Sequence, residues 1–186
     1  GLSWPVVASV STPDGIGGTN VTSYRYEDAL FHKNGRGLLG FAKCYVKDEN
    51  TNTLNTTEYS VNIEKYVIAP KHSQTTVNGK MIEESDHTYT LKSNYASSSY
   101  NSDIYTYMPM TVHQKNYELN TGELIKDVKI DYEYDTWGNT TKTIVKDGSI
   151  ETTTTNTFIN NTDKWLLGRL TECTVSKSNE SGTTTR

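Results

Sequence analysis

What most constrains this chain is a period of two. In "VKIDYEYDTWGNTTKTIVKDG", residues 128–148, apolar and polar side chains alternate on both sides of a turn signal. Val128, Ile130, Tyr132 and Tyr134 fall on one side of an extended backbone, and Lys129, Asp131, Glu133 and Asp135 on the other, because successive strand side chains point to opposite faces. Asp135 followed by Gly138 fits a type I turn, with the acid at its first position and glycine accepting a positive φ. The return strand "NTTKTIVKDG" closes at a second turn, Asp147-Gly148. Two registers are open. A two- or four-residue loop sets Glu133 opposite Lys142, and a three-residue loop sets Ile130 opposite Ile144; either pair stabilises by about 0.2 to 1 kcal/mol.

The same alternation recurs in segments along much of the 186-residue chain. It predicts strands at 5–12, 20–27, 38–47, 56–68, 87–94, 104–118, 124–135, 139–147, 149–159 and 165–176. Turn chemistry separates them: Pro13-Asp14-Gly15, Asn34-Gly35, Asn78-Gly79, Thr121-Gly122, Trp137-Gly138-Asn139, Asp147-Gly148 and Asn160-Asn161-Thr162-Asp163. Thirteen tyrosines and three tryptophans accompany repeated Thr and Val, which suit a pleated, half-buried surface. With 33% hydrophobic residues the cores must be thin. One helical scrap is conceivable, "TDKWLLG" at 162–168, where Thr162 or Asp163 would cap a single turn. The expected fold is mainly β: antiparallel hairpins or a meander forming an extended, curved sheet with little helix.

The tract "SNYASSSYNSD" at 93–103 is polar, serine-rich and without periodicity, and reads as an exposed loop. It divides an N-terminal hairpin region, 1–92, from a second hairpin region, 104–186. The last residues, "ESGTTTR", begin a new Thr-rich strand after Asn179-Glu180-Ser181-Gly182, and so read as the cut end of a longer polypeptide.

Several function classes are disfavoured. The formal charge is −4 and the lysines are scattered singly, so the basic stripe of a nucleic-acid binder is missing. No apolar run approaches the roughly 18 to 20 residues of a bilayer-crossing helix. Cys44 and Cys173 match neither a zinc spacing nor a disulfide-dense scaffold; buried thiols are expected in preference to one long-range disulfide. His32, His72, His87 and His113 are dispersed, and "EESDHTY" at 83–89 reads as a solvated turn, so no metal and no cofactor are expected. "DGIGGTN" lacks the following helix that phosphate binding needs. Asp131, Glu133 and Asp135 share a strand face, as a carboxylate-based glycoside hydrolase would require, yet acids alternating beside lysines are usually the wet side of a sheet. The chain is therefore expected to be no enzyme, with no catalytic residue assigned. An alternative is a carbohydrate-binding or adhesive β module, motivated by Tyr95, Tyr100, Tyr105 and Tyr107 around the polar tract. The Asn-x-Ser/Thr triplets at Asn20, Asn55, Asn139, Asn160 and Asn179 follow from the Thr/Asn-rich composition and are not read as glycosylation sites.

Self-similarity adds an organising idea. "LLGFAKCYVKDENTNTLNTTEY" at 38–59 echoes "LLGRLTECTVSKSNESGTTTR" at 166–186, with Cys44 matched to Cys173 after a one-residue slip, and "YRYED" at 24–28 echoes "YEYDT" at 132–136. Units of this kind bury their apolar faces by stacking on neighbours. The segment "YEYDTWGNTTKTIVKDG" resembles the Rhs/YD repeat, Tyr-x-Tyr-Asp-x-x-Gly-Asn followed by a Thr-rich strand, with Tyr132, Tyr134, Asp135, Gly138 and Asn139 in place. Upstream, "YRYEDALFHKNGRGLLGFAKCYVKD" at 24–48 resembles a segment of Tc-toxin B components and related virulence-plasmid proteins, through Arg36, Gly40 and Phe41. Together the two segments cover under half of the chain. The resemblance implies a non-enzymatic scaffold, part of a hollow β shell in a bacterial protein that is secreted or displayed at the cell surface. Its implied partners are the remainder of the same polypeptide, an enclosed toxin segment or a surface glycan.

Overall fold

The computed structural model describes residues 5–32, 35, 37–93, 105–179 and 182–185. They form twelve strands: Ser9–Pro13 (β1), Thr19–His32 (β2), Gly37–Asp48 (β3), Thr53–Asn62 (β4), Val67–Val77 (β5), Lys80–Ser93 (β6), Tyr105–Tyr117 (β7), Leu124–Tyr134 (β8), Thr140–Asp147 (β9), Ile150–Asn161 (β10), Leu166–Asn179 (β11) and Gly182–Thr185 (β12). Their order in the sheet is their order in the chain, and the pairings of β1 through β5 and of β8 through β12 are antiparallel. No helix occurs among the described residues. The protein is mainly β, an antiparallel meander, as the period of two requires.

Three local expectations need correction. Residues 56–68 are not one strand. A four-residue turn, 63–66, separates β4 from β5, with Tyr66 at φ 55° and its N–H donating to the Ile63 carbonyl at 3.3 Å. The strand β5 contains Pro70, which argues against a central strand by itself; it is accommodated at a bulge, where Glu58 pairs His72 and Tyr59 pairs Pro70, so Lys71 is the extra residue. The stretch "TDKWLLG" holds a tight turn at 162–165 running straight into β11. "EESDHTY" is no solvated turn: it lies inside β6, and its Ser85 is buried.

The opening hairpin settles its register. Glu133 pairs Lys142 and Ile130 pairs Val145, with a shift between Glu133 and Tyr134 that leaves Thr141 as the bulged residue. The Lys142 Nζ lies 3.4 Å from Glu133 Oε1.

Contacts divide the chain into two units, residues 1–84 with 116–124, and 85–115 with 125–186. In the first, registers place Tyr24, Tyr26, Cys44, Val46 and Thr57 on one face. Its other face is a charged ladder: Arg25 lies 3.2 Å from Glu27 and caps the Tyr45 ring at 3.8 Å, and Lys43 meets Glu58 at 2.7 Å. In the second, Val128, Ile130, Tyr132, Thr143 and Val145 share a face, with Lys129, Asp131, Glu133, Lys142 and Lys146 opposite. Among the described residues Val128 is the one hydrophobic side chain in the buried class. The thin core expected from composition is real, and stability must come largely from pairing and from what happens at the turns.

Candidate functional site

The best-built polar feature is the loop between β8 and β9. Asp135 Oδ1 accepts from the N–H groups of Trp137 at 2.8 Å and Asn139 at 2.9 Å, while Oδ2 accepts from Asn139 Nδ2 at 2.8 Å. The backbone closes the same loop, with Asp135 N donating to the Asn139 carbonyl at 3.0 Å and Gly138 N to the Asp135 carbonyl at 3.2 Å. Gly138 sits at φ 87°, where a side chain would be strained. Burial raises the Asp135 carboxyl, but the hydrogen bonds from Asn139 and Trp137 outweigh it and hold the group below the usual carboxylate range. Lys92 Nζ donates to the Asp135 carbonyl oxygen. Tyr134 donates its hydroxyl to the Pro109 carbonyl at 2.7 Å and stacks on Tyr132 at 6.4 Å.

Asn139 does more than close its own turn. A Cβ built on Gly168 would stand 2.9 Å from Asn139 Oδ1, and Gly168 has φ 71°. Gly168 N donates to Asn160 Oδ1 at 2.7 Å, and Asn139 Nδ2 approaches that same oxygen at 3.4 Å. The Asp-x-x-Gly-Asn loop and the Leu-Leu-Gly strand are therefore two halves of one joint, which only a glycine on the second half allows.

A comparable joint lies in the first unit, with different chemistry. Tyr66, the positive-φ residue of the β4–β5 turn, donates its hydroxyl to the Leu38 carbonyl at 3.1 Å and meets the His32 ring edge-on at 5.7 Å. A Cβ on Gly40 would stand 2.9 Å from Ile68 Cδ1. Phe41 packs on Tyr26, ring centroids 4.7 Å apart. Arg36, the third residue of the Gly-Phe resemblance, lies outside the described residues.

Two repeats escaped the sequence reading although their signals are there. The β1–β2 loop is built like the β8–β9 loop. Asp14 Oδ1 accepts from Ile16 N at 2.9 Å and Gly18 N at 2.8 Å, Asp14 N donates to the Gly18 carbonyl at 3.1 Å, and Gly17 has φ 99°. The shared signature is Asp-x-x-Gly, "DGIGG" against "DTWGN". Likewise "NIEKY" at 62–66 and "NTDKW" at 161–165 make the same turn. Lys65 N donates to Asn62 Oδ1 and Lys164 N to Asn161 Oδ1, both at 2.9 Å, and Tyr66 and Trp165 adopt φ 55° and 52°. By contrast the echo between 24–28 and 132–136 does not extend to a turn, because β2 continues through Asp28 to His32; no glycine stands three residues after Glu27 or Asp28 to take the positive φ.

The remaining candidates are engaged in structural bonds. Asp131 accepts from Thr111 at 2.7 Å and lies 3.2 Å from Lys129, and the Thr111 bond holds its carboxyl below the usual range. A general acid would need the opposite shift. Burial lowers the His87 imidazole, whose Nε2 shares a 2.9 Å hydrogen bond with the Ser85 hydroxyl. Tyr107 packs on Tyr89 at 5.4 Å; Tyr95, Tyr100 and residues 94–103 of the serine-rich tract lie outside the described residues. Both cysteines are free thiols. Cys44 is half-buried, with its thiol pushed up by burial, but Cys173 is exposed rather than buried, because the outer end of β11 carries little cover. Among the described residues no group of three or more metal-ligating side chains converges.

Comparison with known proteins fits this geometry. Residues 2–79 match the family described as "Insecticide toxin TcdB middle/N-terminal region". The structure described as "Crystal Structure of TcdB2-TccC3" superposes with a TM-score of 0.68 at 9% identity, over 90% of this chain and 13% of that one. "Crystal Structure of TcdB2-TccC3-Cdc42" gives 0.66 at 9% identity, over 87% and 12%. No curated protein sequence matches the chain. The chain thus spans about an eighth of the length of the structures it resembles, and the likeness to Tc-toxin B components holds in sequence over residues 2–79 and in fold over 90% of the chain.

Proposed function

We propose that this chain is a wall segment: a non-enzymatic β scaffold of Rhs/YD type within a toxin-related protein similar to TcdB2, contributing strands to a shell. The observation that carries the reading is the pair of turn joints, Asn139 against Gly168 and Tyr66 against Leu38. Each ties a turn to another hairpin's return strand, which is what a self-supporting wall without a thick core needs. The depressed Asp131 carboxyl and the ion-paired Glu133 support a role in the wet face of a sheet. In the solved structures TcdB2 is accompanied by TccC3; by that likeness the partners proposed here are the rest of the same polypeptide, a companion subunit and an enclosed segment. A secreted or surface-displayed setting accompanies this reading.

The test is enclosure. A longer polypeptide containing this chain, co-produced with its companion subunit, is treated with a nonspecific protease and the surviving fragments are identified. A scaffold that closes a shell protects an internal segment that is digested once Asn139→Ala and Tyr66→Ala loosen the joints. Complete digestion of everything but the strands, with or without those substitutions, would contradict the shell reading.

A further inference from the structure

The turn between β5 and β6 is Asn78-Gly79, two residues at φ 51° and 78°, the conformation that a two-residue hairpin asks of asparagine and glycine. The same pair of residue types carries a reactivity of its own. In an Asn-Gly sequence the backbone nitrogen of the glycine can attack Cγ of the asparagine, because no side chain on the following residue hinders the approach. A Cβ built on Gly79 would meet nothing within 4 Å, and both residues are exposed. Neither packing nor exclusion of water protects this turn.

The restraint comes from the neighbouring turn. Asn52 ends the β3–β4 connection at φ 53°. Its Nδ2 donates to Asn78 Oδ1 at 2.9 Å, and its carbonyl accepts from Asn78 N at 3.1 Å. The two bonds carry the contact one step past the terminal pair of the β4–β5 ladder, Thr53–Val77. Asn52 is itself held in place. Asp48 Oδ1 accepts from Asn50 N at 2.9 Å and Thr51 N at 3.3 Å, and Thr51 Oγ1 donates to Thr53 Oγ1 at 2.8 Å. All of these groups belong to the first unit.

We infer that Asn78-Gly79 is a site of spontaneous backbone modification and that Asn52 holds it in the unmodified state. In the reaction a bond forms between Gly79 N and Asn78 Cγ, and the bond from Cγ to Nδ2 breaks. Ammonia departs with the proton that Gly79 N gives up, and a five-membered succinimide remains. Water then adds at either of the two ring carbonyl carbons, giving aspartate or isoaspartate at position 78. Ring closure requires Cγ to swing onto Gly79 N, which the carboxamide cannot do while its oxygen is bonded to Asn52. Isoaspartate adds a methylene to the main chain and so disrupts the turn that joins β5 to β6, whereas aspartate keeps the acceptor for Asn52. The chemistry is that of one pair of turns and holds whether or not the sheet closes into a shell.

The test uses the full chain and mass spectrometry. The tryptic peptide 72–80, "HSQTTVNGK", holds Asn78 as its one asparagine, and fragmentation assigns aspartyl and isoaspartyl products to that position after timed incubation in mildly alkaline buffer. The folded chain is expected to convert at least about tenfold more slowly than the synthetic peptide 72–80, since the turn must first open locally. Asn52→Gly keeps the carbonyl and the left-handed conformation but removes the amide donor. It should raise the rate in the folded chain at least about threefold, the order that one exposed hydrogen bond supplies. Thr75→Val removes the Thr75–Asn55 bond elsewhere on the same hairpin and is expected to leave the rate within about twofold. Equal rates for the unaltered chain and Asn52→Gly overturn the inference. So does equal acceleration by Thr75→Val, which would make general loosening the cause, and so does conversion of the unaltered chain as fast as the free peptide. If Asn52→Gly loses the β-sheet circular dichroism, Asn52→Asp takes its place and is read by the same criteria, because a carboxylate of the same shape accepts but does not donate.

Discussion

The hairpins β4–β5 and β10–β11 turn on the same five-residue motif and differ in almost everything that touches them. Asn62 and Asn161 cap the turn identically, and Tyr66 and Trp165 take the same strained conformation. Yet the residues after the turn are half-buried in β5 and exposed in β11, Val67 and Ile68 against Leu166 and Leu167. Local chemistry makes the turn; neighbouring strands decide whether the apolar residues beside it count for stability. In a sheet with so little buried carbon, that distinction determines where the structure is strong.

The comparison can be broken most sharply at the glycines. Gly168→Ala puts a Cβ against Asn139 at a position with φ 71°, and is expected to cost about 2 to 3 kcal/mol in urea unfolding. Gly40→Ala meets the movable end of Ile68 but also stands at φ 151°, a conformation that is essentially glycine's alone, and should cost about as much, about 2 to 3 kcal/mol. A loss below about 0.5 kcal/mol at either glycine would mean that the joints are not built as described. Next come the aliphatic twins: Ile68→Ala should destabilise by about 1 to 2 kcal/mol, Leu167→Ala by less than about 0.5 kcal/mol. Equal losses would erase the contrast between the two hairpins.

Asp135→Ala should cost about 1 kcal/mol, like loss of a helix cap, since three hydrogen bonds vanish together. Its pH dependence has a definite sign. The folded carboxyl titrates below the unfolded one, so its contribution is complete above the unfolded value near 3.9 and is lost as pH falls through the folded value. Denaturation at neutral pH should therefore separate wild type from variant, and the gap should close in strong acid. Tyr66→Phe, which removes the Leu38 bond and keeps the ring, should cost about 0.5 to 1 kcal/mol in thermal melts.

Much of this architecture was legible in the residues. Alternation at 128–134 and the Asp-x-x-Gly spacing led directly to β8 and its turn, but left two registers open, Glu133 opposite Lys142 or Ile130 opposite Ile144, of which the pairing across the turn takes the first. The failures have physical causes. Alternation predicts no strand over 69–77, because the bulge at Lys71 that accommodates Pro70 depends on pairing with β4, which a single segment does not reveal. The turn at 63–66 contains no glycine, and a tyrosine at positive φ carries no composition signal until its twin at 165 is seen. The joint between Asn139 and Gly168 joins residues 29 apart, the difference between the two numbers; each belonged to a recognised motif, but only three-dimensional pairing shows that the motifs are partners. Exposure of Cys173 likewise depends on which strands lie beside β11 and not on the cysteine itself.

A double-mutant cycle between Asn139 and Gly168 tests the central claim, that turn-to-strand joints hold the wall. Gly168→Ala is measured by equilibrium unfolding in the native background and again with Asn139→Ala, which removes the oxygen that the new methyl group would strike. The two substitutions should couple by about 1 kcal/mol or more, with the alanine far better tolerated when Asn139 is gone. Strict additivity, the same loss in both backgrounds, would contradict the account.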